Sequence, residues 1–520
     1  MRISNPSDNE QTSQSAAWKR SLVAGASACL MVFLINLSIT IWSITLPEGS
    51  QNGTQTGRRI LYEGSCSTSS TLSVVLHLII NIFSSILLGA SNYGMQCLSA
   101  PTRDDVNKAH ETQEWLDIGI LSFRNLRKVS LKRAILWWLL VFSSVPLHLL
   151  FNSVVFSSLT THNYTVYNIG DQFLLPEYND FSDKDEDPIW DMIERVEAGV
   201  LDNLTTLECI DEYATAFQTS RSHVLLISDR GFKPDGSDIY DYAFADLSTT
   251  WLGDCPPDVY CVALAVSLFF LSWGIKALVG PRDITSIWNL GFGAVSETAL
   301  ITGLEWQDGA DQGLIWTVVI SNLAQLIFST LYFQYNGLFT CMTAAKEWSD
   351  FGLKRSPLRV SSNPRGEQRS RYFLQLPYHF SIPLLAVSIL MHWMLSQSIF
   401  IVAVETFEDP GSLSWGPLTC GYSPNAIMAV IITSFLMVAA VVVTACRRLP
   451  TPVPVAGSCS LAIAAACHHP DGIPQSEASL FPLQWGVMRR QGQRPSRETR
   501  GHCGFSHQPV EEPQAGVIYL

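Results

Sequence analysis

The chain has 520 residues and a formal net charge of −13, but only 15% of its residues are charged and 47% are hydrophobic. A typical soluble domain is roughly 25% charged. No basic patch is large enough to point to nucleic acid as a partner, and the acidic excess is concentrated in one segment, residues 160–258.

The first 20 residues are polar and end in Trp18-Lys19-Arg20. The apolar run that follows, Leu22–Leu46, exceeds the ~7–15 residues of a signal-peptide core and reads as an uncleaved signal anchor. Six more runs follow in order: Leu72–Gly94, Ala134–Leu159, Val259–Gly280, Gly313–Phe333, Tyr378–Val404 and Asn425–Cys446. Each is near the ~20 residues that cross a bilayer as a helix, and lipid leaves no partner for unpaired backbone groups. The fold class this predicts is an all-α membrane protein. It is a polytopic helical bundle with seven clear spans, an eighth that is weak or deleted, and a small α+β extracytoplasmic domain.

Lys and Arg in short loops mark the cytoplasmic side. Lys19 and Arg20 place the N-terminus inside, and Arg103, Lys108, Arg124, Arg127, Lys128, Lys132 and Arg133 place the loop after the second run inside as well. Within that loop, Trp115, Leu116, Ile120, Phe123 and Leu126 have near-helical spacing. They predict a helix lying either in the membrane interface or against the bundle.

Residues 160–258 then fall outside, and they hold 21 acidic and five basic residues. Helices are expected at Ile189–Leu201 and Thr206–Phe217, and a strand at His223–Ser228. The Asp183–Asp187 run reads as a solvated acidic turn. Sequons at Asn52, Asn163 and Asn203 all lie in segments that charge places outside, which makes them glycosylation candidates. Cys66, Cys209, Cys255 and Cys420 lie on the same side. An oxidising exterior permits disulfides there, with Cys209–Cys255 and Cys66–Cys420 as plausible pairs.

The later half raises a counting problem. Residues 336–377 are Arg- and Lys-rich and belong inside, residues 405–423 belong outside, and Arg447-Arg448 belong inside. Seven spans from an inside start would end outside. An extra crossing between the fourth and fifth runs is therefore expected, with Ile284–Leu304 as the one candidate, although it carries Glu297 and three glycines. The tail after Arg448, rich in Pro, Gly, Ser and Gln, is expected to be loosely ordered with docking pieces such as Pro482–Val487.

Several stretches resemble a family of fungal multi-span membrane proteins whose N-terminal half is known only as a domain of unknown function. They are Ala100–Leu159, Tyr335–Met342, Lys346-Glu347-Trp348, Pro357–Val360, Tyr372–Tyr378, Ser396–Phe400, Gly457–Ser460, Ala465–His468, Pro482–Gly486 and Gly501-His502-Cys503. The resemblance implies no activity, cofactor or catalytic residue. It does imply a longer stretch, with a further span, before Gly291, so a span is expected to be missing between residues 281 and 312.

Three histidines sit inside predicted spans, each with a polar residue one turn on: His77 with Asn81, His148 with Asn152, and His392 with Ser396. Such pairs share a helical face. Polar groups are expensive in lipid, so these faces point inward. Together with Asn322, Gln325 and Gln397 they form either interhelical hydrogen-bond glue or a path for protons, a metal or a small solute. Cys459, Cys467, His468, His469, His502, Cys503 and His507 are metal-ligand types without zinc spacing. Cys446, Cys459 and Cys467 follow a span and Arg447-Arg448, which is a pattern for S-acylation. No catalytic motif is present and no cofactor is implied. The leading functional reading is a cell-surface or endomembrane sensor or scaffold that meets an unknown protein or small-molecule ligand. The alternative is a transporter or channel that uses the His/Asn faces.

Overall fold

The computed structural model describes residues 17–51, 54–162, 166–170, 195, 198–213, 221, 224–228, 266–269, 271–272, 274–276, 283–301, 310–360, 364–370, 376–408, 412–451, 453–467, 478–488, 502–514 and 519. Among them, six helices are long and apolar enough to cross a membrane. These are α1 (Ala17–Ser43), α2 (Cys66–Ser99), α5 (Leu131–Leu150), α8 (Ala310–Asp350), α9 (Tyr378–Ser398) and α10 (Pro424–Ala445). Shorter helices are α3 (Arg103–Glu111), α4 (Phe123–Leu126), α6 (Thr206–Tyr213), α7 (Ile284–Asn289) and α11 (Ser460–Ala466).

Two apolar runs end as strand rather than helix. α9 stops at Ser398, and Ile399–Glu408 continues as strand β8; β3 (Ser157–His162) follows α5 after a 3-10 turn at Phe151–Val154. The residues after Ser398 are Ile, Phe, Ile, Val, Ala and Val, which suit a pleated surface better than a helix. β3 and β8 each emerge from the same end of the bundle, so they pair in parallel, Ser157 opposite Val402. β8 turns back as β9 (Ser412–Tyr422), antiparallel, and β9 leads into α10. This three-stranded sheet marks what is here termed the sheet end.

Among the described residues of Ile284–Leu304, the candidate for the weak or deleted eighth crossing, no long helix forms. Ile284–Asn289 is a six-residue helix capped by Asp283, whose carboxylate accepts from Ser286 N at 3.2 Å. An irregular stretch follows, and Leu300 bridges Gly421 of β9. Six residues of helix rise about 9 Å, far short of a bilayer core. Within Val259–Gly280, the fourth expected run, the described residues lie between 266 and 276 and are helical, with Tyr422 Oη donating to Gly274 O at 2.8 Å. That contact holds the segment to the sheet end.

The opposite end, the tail end, is built from both halves of the chain. Thr102 and Asp105 form a capping box on α3, and Arg133 pairs with Asp105 at 3.3 Å. Partial burial pushes the Asp105 carboxyl up, but the Thr102 hydrogen bonds and the Arg133 charge outweigh it and hold the group below the usual carboxylate range. The expected amphipathic helix over Trp115–Leu126 is instead a loop closed by the single turn α4. Asn125 explains this: its side chain accepts from Asp117 N at 2.9 Å and donates to Asp117 O and Ser99 O, which ties the chain into a loop. Arg124 lies 3.8 Å over the Trp115 ring.

The described residues of the tail include packed strands. Strands β10 (Gln484–Met488) and β11 (His502–Ser506) pair antiparallel, and Trp485, Leu483 and Phe505 pack on Phe351 and Val453. Buried aromatic and aliphatic side chains outweigh the local Pro and Gly content. Pro482–Val487 is a docking piece, with Trp485 N donating to Phe351 O at 3.0 Å.

Outside the bundle, β4 (Val166–Gly170) pairs in parallel with β5 (Val224–Ser228), and α6 lies between them in sequence. α6 and β5 fall within two of the expected elements. Ile189–Leu201 lies mostly outside the described residues, and Asp183–Asp187, Asn52, Asn163, Cys255, His468 and His469 lie outside them entirely.

Candidate functional site

The buried face of α2 is a polar stripe. His77, Asn81, Ser84, Ser85, Asn92, Gln96 and Ser99 are all buried, and the apolar residues among them are Leu88 and Met95. The spacing alternates four and three, which keeps one face toward its neighbours. From His77 to Ser99 the stripe rises about 33 Å, enough to traverse a hydrocarbon core of about 30 Å. α5 adds buried Ser144 and His148, and the 3-10 turn after it adds Asn152; α8 adds Thr317, Ser321, Asn322, Gln325, Ser329, Asn336 and Thr340; α9 adds Ser381, Ser388, His392, Ser396 and Gln397. Four helices therefore turn polar faces toward one another, while α1 stays largely exposed and meets α2 where Gly25 approaches Ala90.

Near the sheet end the polar groups are satisfied. Asn81 is fully buried and donates to Asn152 Oδ1 at 2.9 Å, to Ser396 Oγ at 3.1 Å and to His77 O at 2.7 Å. Asn152 donates back to Asn81 Oδ1 at 3.4 Å. One side chain thus ties α2 to α5 and α9. His77 Nε2 faces two carbonyls, Asn152 O and Val155 O, each at 3.2 Å, so this nitrogen carries the proton. Its Nδ1 then accepts from Gln397 Nε2 at 3.2 Å. Asn322 of α8 donates to Ser153 Oγ, the Nδ2 to Oγ distance being 2.5 Å. Between these groups lies a cavity of about 20 Å³, bounded by Ser73, His77, Asn152, Asn322, Gln397 and Phe400. That is room for one water molecule.

The loop after α7 lines one side of this cavity through Gly293. Gly293 has φ +67°, and a Cβ there would collide with Gln397 Oε1. Its N–H donates to Ser423 Oγ at 3.2 Å. Asn425 donates to Ile287 O, Trp288 O and Gly291 O at 3.0–3.2 Å and so holds the loop to the start of α10. Glycine is required twice over here, by the left-handed backbone and by the close approach.

One turn deeper the pattern reverses. His148 and His392 stack with ring centroids 5.1 Å apart and planes 14° from parallel, and Phe328 meets His392 edge-on at 4.9 Å. His392 and Gln325 are fully buried, His148 is 2% exposed, and Ser85 and Ser388 are 1% exposed. Both nitrogens of His392, Nδ1 of His148, both polar atoms of Gln325 and the hydroxyls of Ser85 and Ser388 have no hydrogen-bond partner. Buried polar groups are nearly always paired, so this cluster stands out. Leu88, Phe328, Tyr332, Met391, Met394 and Val430 form an apolar cluster at the same depth and interrupt the polar column.

The six intramembrane residues picked from the sequence fall into two groups. His77, Asn81, Asn152 and Gln397 form the satisfied mouth, and His148 and His392 form the unsatisfied centre. Sequence reasoning missed Ser85, Asn92, Gln96 and Ser99, whose four-and-three spacing continues from His77 and Asn81, and it missed Gly293 as a lining residue.

The other candidates are dispersed. Asn203 is exposed next to α6, whose cap is formed by Thr205 and Glu208. The hydrogen bonds from Thr205 N and Oγ1 hold the Glu208 carboxyl low. Cys209 and Cys420 are free thiols. Cys420 is buried under the sheet with its thiol donating to Thr317 O at 3.9 Å, and burial pushes it up to about 12. The side chain of Cys66, its expected partner, lies outside the described residues. Among the described residues no group of three or more His, Cys, Asp or Glu is placed to hold a metal ion.

Long apolar helices around a shared core define a polytopic helical membrane protein. Residues 18–158 match a family of unknown function, DUF6536, and residues 255–518 match a domain of unknown function, DUF8419. The second match covers just over half of the chain, and the chain belongs to the DUF8419 family. The two matches meet across the column: α2 and α5 come from the first, α8 and α9 from the second. No curated protein and no solved structure matches the chain.

Proposed function

We propose that this protein conducts a small polar species along the column between α2, α5, α8 and α9, through a pathway closed at its sheet end by Gly293. The carrying observation is the buried polar stripe from His77 to Ser99, polar at every step except Leu88 and Met95. Polar residues that only glued helices together would each need a partner, and Gln325 and His392 have none. The apolar cluster of Leu88, Phe328, Tyr332 and Met391 then acts as a closed hydrophobic gate.

In this reading the chain crosses the membrane six times. The N-terminus, the Arg-rich loops and the tail are cytosolic, and the sheet end, with residues 160–258 and Asn203, faces outward. Six crossings satisfy the charge rule without an eighth span. The bonds from Tyr422 to Gly274 and from Asn425 to the α7 loop support keeping Gly274 and residues 283–301 on the outer side. The membrane is the plasma membrane or an endomembrane.

A sensor or scaffold is the second reading. It draws on the tail-end assembly, where Ser458 Oγ donates to Asp117 at 2.6 Å and joins the two halves of the chain. Solute flux into liposomes holding the purified chain separates the two. Flux that falls in His148→Ala and His392→Ala, at equal protein content, supports conduction. Absence of flux for every small solute and for protons supports sensing.

A further inference from the structure

We propose that the stacked His148–His392 pair is a proton-binding relay, the charge-carrying step of the column; this rests on the conduction reading above. Chemistry narrows the choice. α2, α9 and α10 contain no Asp, Glu, Lys or Arg, while those of α5 and α8 lie near helix ends, at Lys132, Arg133, Asp311, Lys346, Glu347 and Asp350. Among the described residues, the titratable side chains buried in the middle of the bundle are His77, His148, His392, Tyr332 and Tyr335. Imidazole is the side chain that gains and loses a proton most readily near neutral pH.

Geometry separates the three histidines. His77 is fully engaged: Nε2 donates to two carbonyls and Nδ1 accepts from Gln397, so a second proton would break an existing bond. His148 and His392 have unpartnered nitrogens in a fully buried site. Phe328 of α8 meets His392, and the buried polar residues on the same helical faces are neutral: Gln325 on α8, one turn before Phe328, Ser388 on α9, one turn before His392, and Ser85 on α2. Among the described residues no charged side chain is buried at this depth. Gln325, one turn before Phe328 on α8, has both its carbonyl oxygen and its amide free, so a neutral acceptor is present on the helix that meets His392.

The step balances without a co-reactant. Hydronium from the sheet side gives its proton to a free imidazole nitrogen and leaves as water. The imidazolium passes one proton to the stacked ring. That ring returns a proton to water on the tail side, re-forming hydronium, and both imidazoles end neutral. Parallel rings 5.1 Å apart leave the handover to ring rotation or to one intervening water.

The test uses the full chain in liposomes that enclose a pH-sensitive dye, with a potassium diffusion potential as the driving force. Wild type is expected to carry protons. His148→Gln and His392→Gln should each lower the flux about a hundred-fold, the low end for losing a positioned proton-transfer group. His379→Gln, the same change at an exposed position near the tail end, should leave flux unchanged. If proton flux is absent, or is indifferent to both substitutions, while the same liposomes pass urea or glycerol, the relay is wrong and the conduction reading survives. If neither protons nor solutes move, both fail. Should the variants not fold, nitrogen-15 histidine spectra of wild type decide the matter. The ring signals of His148 and His392 should move as pH is lowered while His77 stays fixed, and three static rings would overturn the proposal.

Discussion

Replacing Asn81 with Ala should weaken the bundle far more than removing one exposed polar group. Three hydrogen bonds between helices are lost, from Asn81 to Asn152 and Ser396 and from Asn152 back to Asn81. Interhelical hydrogen bonds in membranes average about 0.6 kcal/mol, which gives about 2 kcal/mol for the set. Asn152, only 7% exposed, is then left without its side-chain partner, and an orphaned buried group adds about 1–3 kcal/mol. Asn81→Ala should therefore destabilise by roughly 3–5 kcal/mol in reversible unfolding with a denaturing detergent. Ser38→Ala is the control: Ser38 lies on exposed α1, bonds only Leu34 O at 2.8 Å, and should change stability by less than about 0.5 kcal/mol. If the two variants unfold alike, Asn81 does not tie three helices together and the mouth of the column is misassigned.

Three further outcomes follow from the same contacts. Gly293→Ala places a Cβ against Gln397 in a left-handed backbone, so it should displace the loop at a cost of about 1–3 kcal/mol and raise flux rather than abolish it; unchanged stability and flux would count against the closure. Asp117→Ala removes hydrogen bonds from Ser122 and Ser458, at 2.5 and 2.6 Å, each worth about 1.5–3 kcal/mol as a charge-assisted bond. Limited proteolysis of inside-out vesicles should then cut near Ser458 at least several-fold faster than in wild type, and equal rates would show that the clasp does not hold the tail. Asn203→Gln should abolish a glycosidase-sensitive gel shift in the expressed protein, whereas a shift retained in that variant would assign the glycan elsewhere.

Much of the bundle is readable from residues alone because hydrophobic length dominates in lipid. The first, second, fifth and seventh apolar runs each fall wholly or almost wholly within a long helix, and the helices of the second and fifth runs extend beyond them through buried polar residues such as Gln96 and Asn336. The sixth run misleads because hydropathy cannot separate helix from strand: Ile399–Val404 is as apolar as the helix before it, and its pairing with Ser157–His162 is a contact across more than two hundred residues. The interfacial loop misleads for a different reason, since Asn125 competes with helical hydrogen bonding by binding Asp117 and Ser99.

At the site, His77–Asn81, His148–Asn152 and His392–Ser396 are legible as pairs on one face. Which of them are satisfied is not, because the partners of His77 come from residues 75, 78 and 320 positions away. Gly293 is likewise invisible until the backbone places it over Gln397.

Cysteine accessibility along α2 tests the polar column most directly. Single cysteines at 77, 81, 85 and 92, in a chain otherwise stripped of cysteine, should react with a small water-borne thiosulfonate reagent, because thiolate forms only where water reaches. Cysteines at 75, 78 and 79, where the native side chains face outward, should stay unreactive. Reactivity recurring every three to four residues is the predicted result. A dry, unreactive stripe from 81 to 92, or labelling without regard to helical face, would contradict a conducting core.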